Sequence, residues 1–229
     1  MVELPPELEI YQKLRWAIFP VHSVEVGRCT CGRDDCDRKG KHPLTEHGFK
    51  DASTDPKQWG AWIARWPFCN WGAPTGALNG FDVLDADSAD AVEWAASHGL
   101  DRAPRVSTGK GAHFYVEHIP ESKDWAKRVP GCDFRGDGGY VVIPPSRHAS
   151  GRRYAWANGY NRPAPAPEWL VDACKNPVPP PPSRARLSRA PQPDGEKVGM
   201  GRRNHFLVSE AGRLRSLGLS REAVLTGLR

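Results

Sequence analysis

The chain has 229 residues, of which 39% are hydrophobic and nine are tryptophan, enough to bury the core of one sizeable domain with or without a small second one. No apolar run reaches membrane-spanning length and no apolar segment follows an N-terminal basic patch, so we expect a soluble protein of the cytoplasm without membrane partners. The net charge of +5 is uneven, because residues 184–229 carry a net of +6 and residues 1–183 a net of −1.

The N-terminal region predicts a helix followed by an extended segment. Residues 5–16 place Leu8, Tyr11 and Leu14 on one apolar side, as a helix requires. Residues 17–26 predict extended chain that leads into a group of cysteines.

Three of the six cysteines lie close to a histidine in the pattern C-x-C-x4-C-x5-H. The four side chains can close a tetrahedral zinc site: Cys29, Cys31, Cys36 and His42. The residues between them are polar and turn-forming, so a metal is needed to hold one shape. We expect structural zinc, because four protein ligands leave no open position for chemistry. Incidental thiols in a loop are the alternative.

A helix start is predicted at Asp55, with Pro56 in the first turn and Gln58 completing a capping box. Large apolar residues then recur at helical spacing, which favours a buried stripe over a base-stacking platform: Trp59, Trp62, Ile63 and Trp66. Pro67 ends the helix.

Residues 81–87 predict a strand that ends in two carboxylates, Asp85 and Asp87. Side chains alternate along a strand, so both carboxylates point the same way, with Cα atoms about 7 Å apart. Such a pair can hold two divalent cations, which prefer oxygen ligands and lie about 3.5–4 Å apart in phosphoryl-transfer sites. The alternative is an acidic turn in which Asp87 or Ser88 caps a helix over residues 89–98.

Two strand–turn–strand units follow, over residues 104–116 and 131–146. In the first, His113 comes directly after a Gly-rich turn and can donate to a phosphate oxygen. In the second, Asp133 and Arg135 share a strand face and suit a metal-bound triphosphate. The alternatives are an ordinary edge-strand histidine and a surface Asp–Arg pair.

The C-terminal part of the sequence differs from the rest in composition. We expect a first domain over residues 1–162, a Pro-rich, semi-rigid linker over residues 163–199, and a short helix at 168–174 within that linker. Residues 200–229 predict a small α-helical segment that begins a further helical domain of a longer protein.

Taken together, these elements resemble the bifunctional primase-polymerase (prim-pol) domain of the archaeo-eukaryotic primase superfamily, as found on plasmids, prophages and phages. The match covers roughly residues 10–160. It rests on the order of four stretches: Cys29-x-Cys31 to Gly40-Lys41-His42-Pro43, Asp51–Asp55 to Asn70-Trp71-Gly72, Val83–Asp87, and Gly111-Ala112-His113 through Gly131-Cys132-Asp133 to Gly138–Ser146.

The resemblance implies an α/β (α+β) fold around an RRM-like antiparallel sheet, with a zinc knuckle, residues 29–43, as an insertion near the active cleft. It implies a DNA primase/DNA polymerase, a nucleotidyltransferase that copies a single-stranded DNA template from dNTPs or NTPs during replication of a phage, prophage or plasmid. Mg²⁺ or Mn²⁺ would be the catalytic ions and Zn²⁺ the structural one. A helicase module in the full-length protein would be typical.

The family motifs also imply roles for individual residues. Asp85, Asp87 and Asp133 would hold the catalytic metals, and His113 would contact the phosphates of the incoming nucleotide. Further candidate nucleotide contacts are Ser107, Lys110 and Arg135. The family often has a serine where this chain has Gly111, so Ser107 or Thr108 would have to supply that hydroxyl.

The basic C-terminal end resembles the start of a helical module that assists template binding, with Arg202 and Arg203 as the candidate DNA contacts. Two other functions fit the same residues. One is a non-catalytic, zinc-containing nucleic-acid-binding module. The other is a metal-dependent nuclease that uses the three acids with water as nucleophile.

Overall fold

The computed structural model describes residues 4–129, 131–160 and 162–176. Within these ranges the strands are, in chain order, β1 (Phe19–Val21), β2 (Val24–Glu25), β3 (Arg28–Cys29), β4 (Asn70–Pro74), β5 (Phe81–Ala86), β6 (Arg105–Ser107), β7 (Ala112–Glu117), β8 (Trp125–Val129), β9 (Cys132–Arg135), β10 (Tyr140–Ile143) and β11 (Ala155–Trp156). The α-helices are α1 (Glu9–Lys13), α2 (Pro56–Arg65), α3 (Ala89–Ala95) and α4 (Glu168–Lys175). Shorter turns of helix lie at Pro6–Leu8, Gly48–Asp51 and Ala96–Leu100. None of the helices in these ranges is both long enough and apolar enough to span a bilayer.

Most strands belong to two antiparallel sheets. The larger sheet has six strands in the order β11-β6-β7-β5-β9-β8, and the smaller has three in the order β1-β4-β10. Strands β2 and β3 form a separate hairpin. The antiparallel sheets, combined with the helices, confirm the predicted mixed α/β class. The closer likeness to an RRM stays a prediction.

Strand β5 separates two hydrophobic cores, because its side chains alternate between the faces of the large sheet. Val83 faces the core that holds Trp16, Phe19 and Trp59. Leu84 faces the other core, which α3 and α4 cover. The strand predicted over residues 81–87 therefore forms, buried on both faces at the middle of the sheet.

Helix α2 begins as predicted at Asp55, whose carboxylate accepts a hydrogen bond from the Lys57 amide at 2.9 Å. The apolar stripe also lies in the core, where Trp59 and Trp62 are buried. The predicted reciprocal half of the capping box is wrong, since the Asp55 amide donates to the Ser53 hydroxyl at 3.0 Å and not to Gln58.

Residues 163–176 pack against the large sheet, so the predicted domain boundary at residue 162 falls inside a packed unit. The Glu117 amide donates to the Ala164 carbonyl at 2.8 Å. Leu170 of α4 is fully buried in the second core. The short predicted helix forms, but its apolar side closes this core. The rest of the predicted linker and the C-terminal helical segment, with Arg202 and Arg203, lie outside the described residues.

Asp82 on β5 is fully buried and holds the segment that follows β7. Its carboxylate accepts hydrogen bonds from the Ile119 amide at 2.8 Å and the Ser122 hydroxyl at 2.9 Å. His118 Nδ1 lies 3.1 Å from the same carboxylate. Burial raises the pKa of the Asp82 carboxyl, and these three contacts oppose the rise.

We expect Asp82→Ala to lower the free energy of unfolding by about 3–5 kcal/mol, because it leaves buried donors without their acceptor. Urea unfolding measures the loss. The matched control is Glu93→Ala, an exposed position on α3 that should cost no more than about 0.5 kcal/mol. Equal, small losses in the two variants would contradict a structural role for Asp82.

Candidate active site

Three of the predicted site residues lie side by side on the three central strands. Asp85 on β5 is directly opposite His113 on β7 and directly opposite Asp133 on β9. Directly opposed residues of antiparallel strands share one face, with Cα atoms about 4.5–5.5 Å apart. The register therefore assembles a row of His113, Asp85 and Asp133 from three separate stretches of sequence. Because β7 lies between β6 and β5, His113 is not on an edge strand.

Asp87 lies one residue beyond the end of β5 and is exposed. Its amide donates to the Gly131 carbonyl at 2.9 Å, which continues the pairing toward β9. Partial burial and the charges of Asp85 and Asp133 raise the pKa of the Asp87 carboxyl. Ser88 caps α3, by accepting from the Ala91 amide at 3.2 Å. The cap therefore does not use the Asp87 carboxylate.

The Asp85 carboxylate is partly withdrawn from water, with its side chain 23% exposed. Burial raises its pKa to about 6, helped by the charge of Asp133 and opposed by the positive charges of Lys41 and Arg135. Most molecules therefore carry an ionised Asp85 at pH 7. A bound cation would draw off the remaining protons, because it stabilises the charged form.

His113 is a neutral imidazole at pH 7. Burial, together with the positive charges of Lys41 and Arg135, lowers its pKa to about 3. Nε2 lies 3.5 Å from Asp85 Oδ1, so we assign the ring proton to Nε2. Nδ1 is buried and has no hydrogen-bond partner among the described residues. The ring can thus donate one hydrogen bond toward the carboxylate row.

Arg135 is held between two carboxylates at the wall of the site. Nη2 lies 3.2 Å from Asp133 Oδ2, and Nη1 lies 3.3 Å from Asp124 Oδ2. Asp133 and Arg135 thus lie on one face of β9 as predicted, and they form an ion pair, which the alternative interpretation of a surface Asp–Arg pair also expects. This pair combines an oxygen ligand with a planar donor that suits a phosphate.

Asp85 and His113 of this row line a cleft that carries both signs of charge. One part, of about 400 Å³, is lined among others by Arg38, Lys41, Asp85, His113 and Arg135. A second part shares four of these and adds Asp87, Lys110, Thr108 and His148. Acidic groups for cations thus stand beside basic groups for anions, an arrangement that suits a metal-bound phosphate compound.

Ser107 is not brought to this cleft. It pairs with Ala112, whereas Val106 pairs with His113, so Ser107 occupies a register position of the opposite face. Thr108 lines the cleft, and its hydroxyl oxygen accepts from the Gly111 amide at 3.1 Å. A side chain at Gly111 would collide with the Ala86 carbonyl, so the backbone at this position has no room for a serine.

The sequence-based search missed several residues of the cleft wall, namely Arg38, Lys41, His148 and Tyr154. Lys41 stands between Gly40 and the candidate ligand His42, and the cysteine–histidine spacing carries no information about the side chain between them. His148 follows β10 in a loop and packs against Tyr154, with ring centroids 5.9 Å apart. Nothing in its local sequence signals that position.

The four predicted zinc ligands converge. Their ligand atoms all lie within 4.8 Å of one another. His42 Nε2 is 3.2 Å from Cys29 Sγ and 3.6 Å from Cys36 Sγ, and tetrahedral zinc places such atoms about 3.6 Å apart. The Arg33 amide lowers the pKa of the Cys31 thiol to about 7. This cluster, Cys29, Cys31, Cys36 and His42, is called the Cys/His cluster below, and its donor set is compatible with zinc.

Comparison with known protein families gives a match over most of the described residues. The family model for the bifunctional DNA primase/polymerase N-terminal domain (Prim-Pol) matches residues 7–169. No curated protein matches the chain at a significant level. The matched range contains the cleft and the Cys/His cluster and spans more than half of the chain. The chain therefore belongs to the family of bifunctional DNA primase/polymerase N-terminal domains.

Proposed function

We propose that this protein is a DNA primase/DNA polymerase that transfers nucleotides from dNTPs or NTPs along a single-stranded DNA template. Two divalent ions, Mg²⁺ or Mn²⁺, would be held by Asp85, Asp87 and Asp133. The observation that carries the proposal is the row of His113, Asp85 and Asp133 across three central strands. We further propose that it acts in replication of a phage, prophage or plasmid, as the sequence resemblance implies.

In the proposed reaction, the 3′-hydroxyl oxygen of a primer, or of an initiating nucleotide, attacks the α-phosphorus. A phosphodiester bond forms, the bond to the β-phosphate breaks, and pyrophosphate leaves. Divalent ions, when bound, lower the pKa of the attacking hydroxyl and neutralise the leaving pyrophosphate. Asp85, Asp87 and Asp133 supply the negative charge that attracts these ions.

The basic and neutral groups of the cleft would hold the triphosphate. Lys110 and Arg135 offer positive charge on two sides of the carboxylates. His113 would donate from Nε2 to a phosphate oxygen as a neutral imidazole. With a pKa of about 3, the ring takes up no second proton near neutral pH, so it would position the phosphate without acting as a general acid.

We expect His113→Ala to weaken binding of Mn²⁺–dATP by about tenfold or more while leaving affinity for single-stranded DNA nearly unchanged. The loss of one hydrogen bond to a charged group corresponds to about 1.5–3 kcal/mol. Isothermal titration calorimetry measures both affinities. His47→Ala, at an exposed position outside the cleft, is the control. Equal losses for dATP and DNA would indicate that His113 serves the fold instead.

The three candidate functions predict different products from one incubation of the protein with template, labelled dNTPs and Mn²⁺ or Mg²⁺. A primase/polymerase extends a primer, a nuclease degrades the strands, and a binding module does neither. The positively charged side chains and the neutral histidine beside the carboxylates favour a triphosphate substrate over the attack of water on a phosphodiester. Degradation without extension would overturn the proposal.

A further inference from the structure

Lys41 belongs to the segment of the Cys/His cluster, yet its side chain lies at the carboxylate row. It lines both parts of the cleft, each time together with Asp85 and His113. Among the described residues, Lys41 forms no ion pair within 4.0 Å. The exposed ammonium group of Lys41 thus lies at the site with no ion-pair partner in the part of the chain that the structure describes.

The backbone around Lys41 is held on both sides. The Gly40 amide donates to Cys29 Sγ at 3.4 Å, and the Gly40 carbonyl accepts from Asn70 Nδ2 at 2.9 Å. On the other side, the His42 carbonyl accepts from the His22 amide at 2.8 Å. The Lys41 carbonyl itself accepts from the Tyr140 hydroxyl at 2.9 Å.

Gly40 adds a steric requirement to this arrangement. Its φ of +71° is costly for other residues, and a Cβ there would come within 2.7 Å of Val24 Cγ2. Lys41 therefore lies between Gly40, whose conformation suits glycine, and His42, a ligand of the cluster. The Cys/His cluster fixes where the lysine side chain starts.

We propose that Lys41 binds the phosphates of the incoming nucleotide and that the Cys/His cluster acts as its positioning element. The inference rests on the proposed function, because it assigns a further contact to the same nucleotide site. A lysine close to metal-binding carboxylates suits an anion that arrives together with cations, and the triphosphate is that anion. If the knuckle served stability alone, any exposed side chain could follow Gly40. A positioning role requires a positive charge there.

The first test measures how tightly variants of the 229-residue protein bind Mn²⁺–dATP and, separately, deoxyadenosine. Lys41→Met should weaken dATP binding by about ten- to a hundredfold, the range of a charge-assisted contact, and leave deoxyadenosine binding unchanged. Lys41→Arg, which keeps the charge, should recover most of the loss. The control is Lys57→Met, on the exposed first turn of α2. A loss below about twofold in Lys41→Met overturns the proposal.

The second test asks whether the cluster acts through Lys41. Cys31→Ser should reduce zinc content and weaken dATP binding in the parent protein, but weaken it little further in a Lys41→Met background. Such non-additivity identifies two residues that act on one contact. Full, additive losses would overturn the positioning role.

If Asp85→Asn abolishes dATP binding and Lys41→Met does not, only this inference fails. If the parent protein binds no Mn²⁺–dATP at all, the proposed function fails with it.

Discussion

Replacing Asp85 or Asp87 by alanine is expected to abolish primer extension, by about 10³-fold or more, because each change removes an oxygen ligand of ions that stabilise the transition state by several kcal/mol. The fold should survive, since Asp87 is exposed and Asp85 opens to the cleft. Burial raises the pKa of Asp85, which means that its negative charge is unfavourable where it lies. Replacing Asp85 by alanine removes that charge. Gel analysis of a pre-annealed, labelled primer in the presence of Mn²⁺ measures the effect.

The double variant provides a sharper form of this prediction. Because the two carboxylates act as one unit, Asp85→Ala combined with Asp87→Ala should be hardly worse than either single change. Asp90→Ala, exposed on α3 outside the cleft, should extend primers normally. Near-normal extension by Asp87→Ala would contradict the metal assignment.

Loss of a cluster ligand is expected to have the second-largest effect. Cys31→Ser should lower the zinc content of the purified protein and its melting temperature together, because metal-binding free energy at such a site is also folding free energy. We expect a decrease of more than about 5 °C, the equivalent of a few kcal/mol for a domain of this size. Metal analysis and thermal unfolding monitored by circular dichroism provide the two readings.

Cys69→Ser is the matched control, since Cys69 is half-buried and lies outside the cluster. It should leave the zinc content unchanged. A purified protein that contains no zinc and whose cluster thiols all titrate freely would show the zinc interpretation to be wrong.

The parts of the fold that local rules govern could be predicted from the sequence. Capping by Asp55 and the alternation around Val83 and Leu84 depend on neighbours within a few residues. Strand β8 was missed because three of its five residues, Ala126 to Arg128, are at least partly exposed, and Lys127 has a φ of +56° at an irregularity in the pairing. The proline content of residues 163–176 predicts a linker and gives no sign that Leu170 is buried.

The candidate site could be predicted as a set of residue types but not as an arrangement. The paired carboxylates, His113 and the Asp133–Arg135 pair each had a local signal. Their alignment in one row depends on the register of β5 with β7 and β9, which no single stretch encodes. The position of Lys41 has no local signal for the same reason, since it depends also on contacts of the knuckle with β4 and β10, such as those of Asn70 and Tyr140.

The most direct measurement of the proposed active site is anomalous diffraction from crystals soaked with Mn²⁺ and a non-hydrolysable dATP analogue. We predict manganese peaks bounded by Asp85, Asp87 and Asp133, with the triphosphate extending toward His113 and Arg135. Manganese and triphosphate bound elsewhere, with these three carboxylates left without an ion, would contradict it.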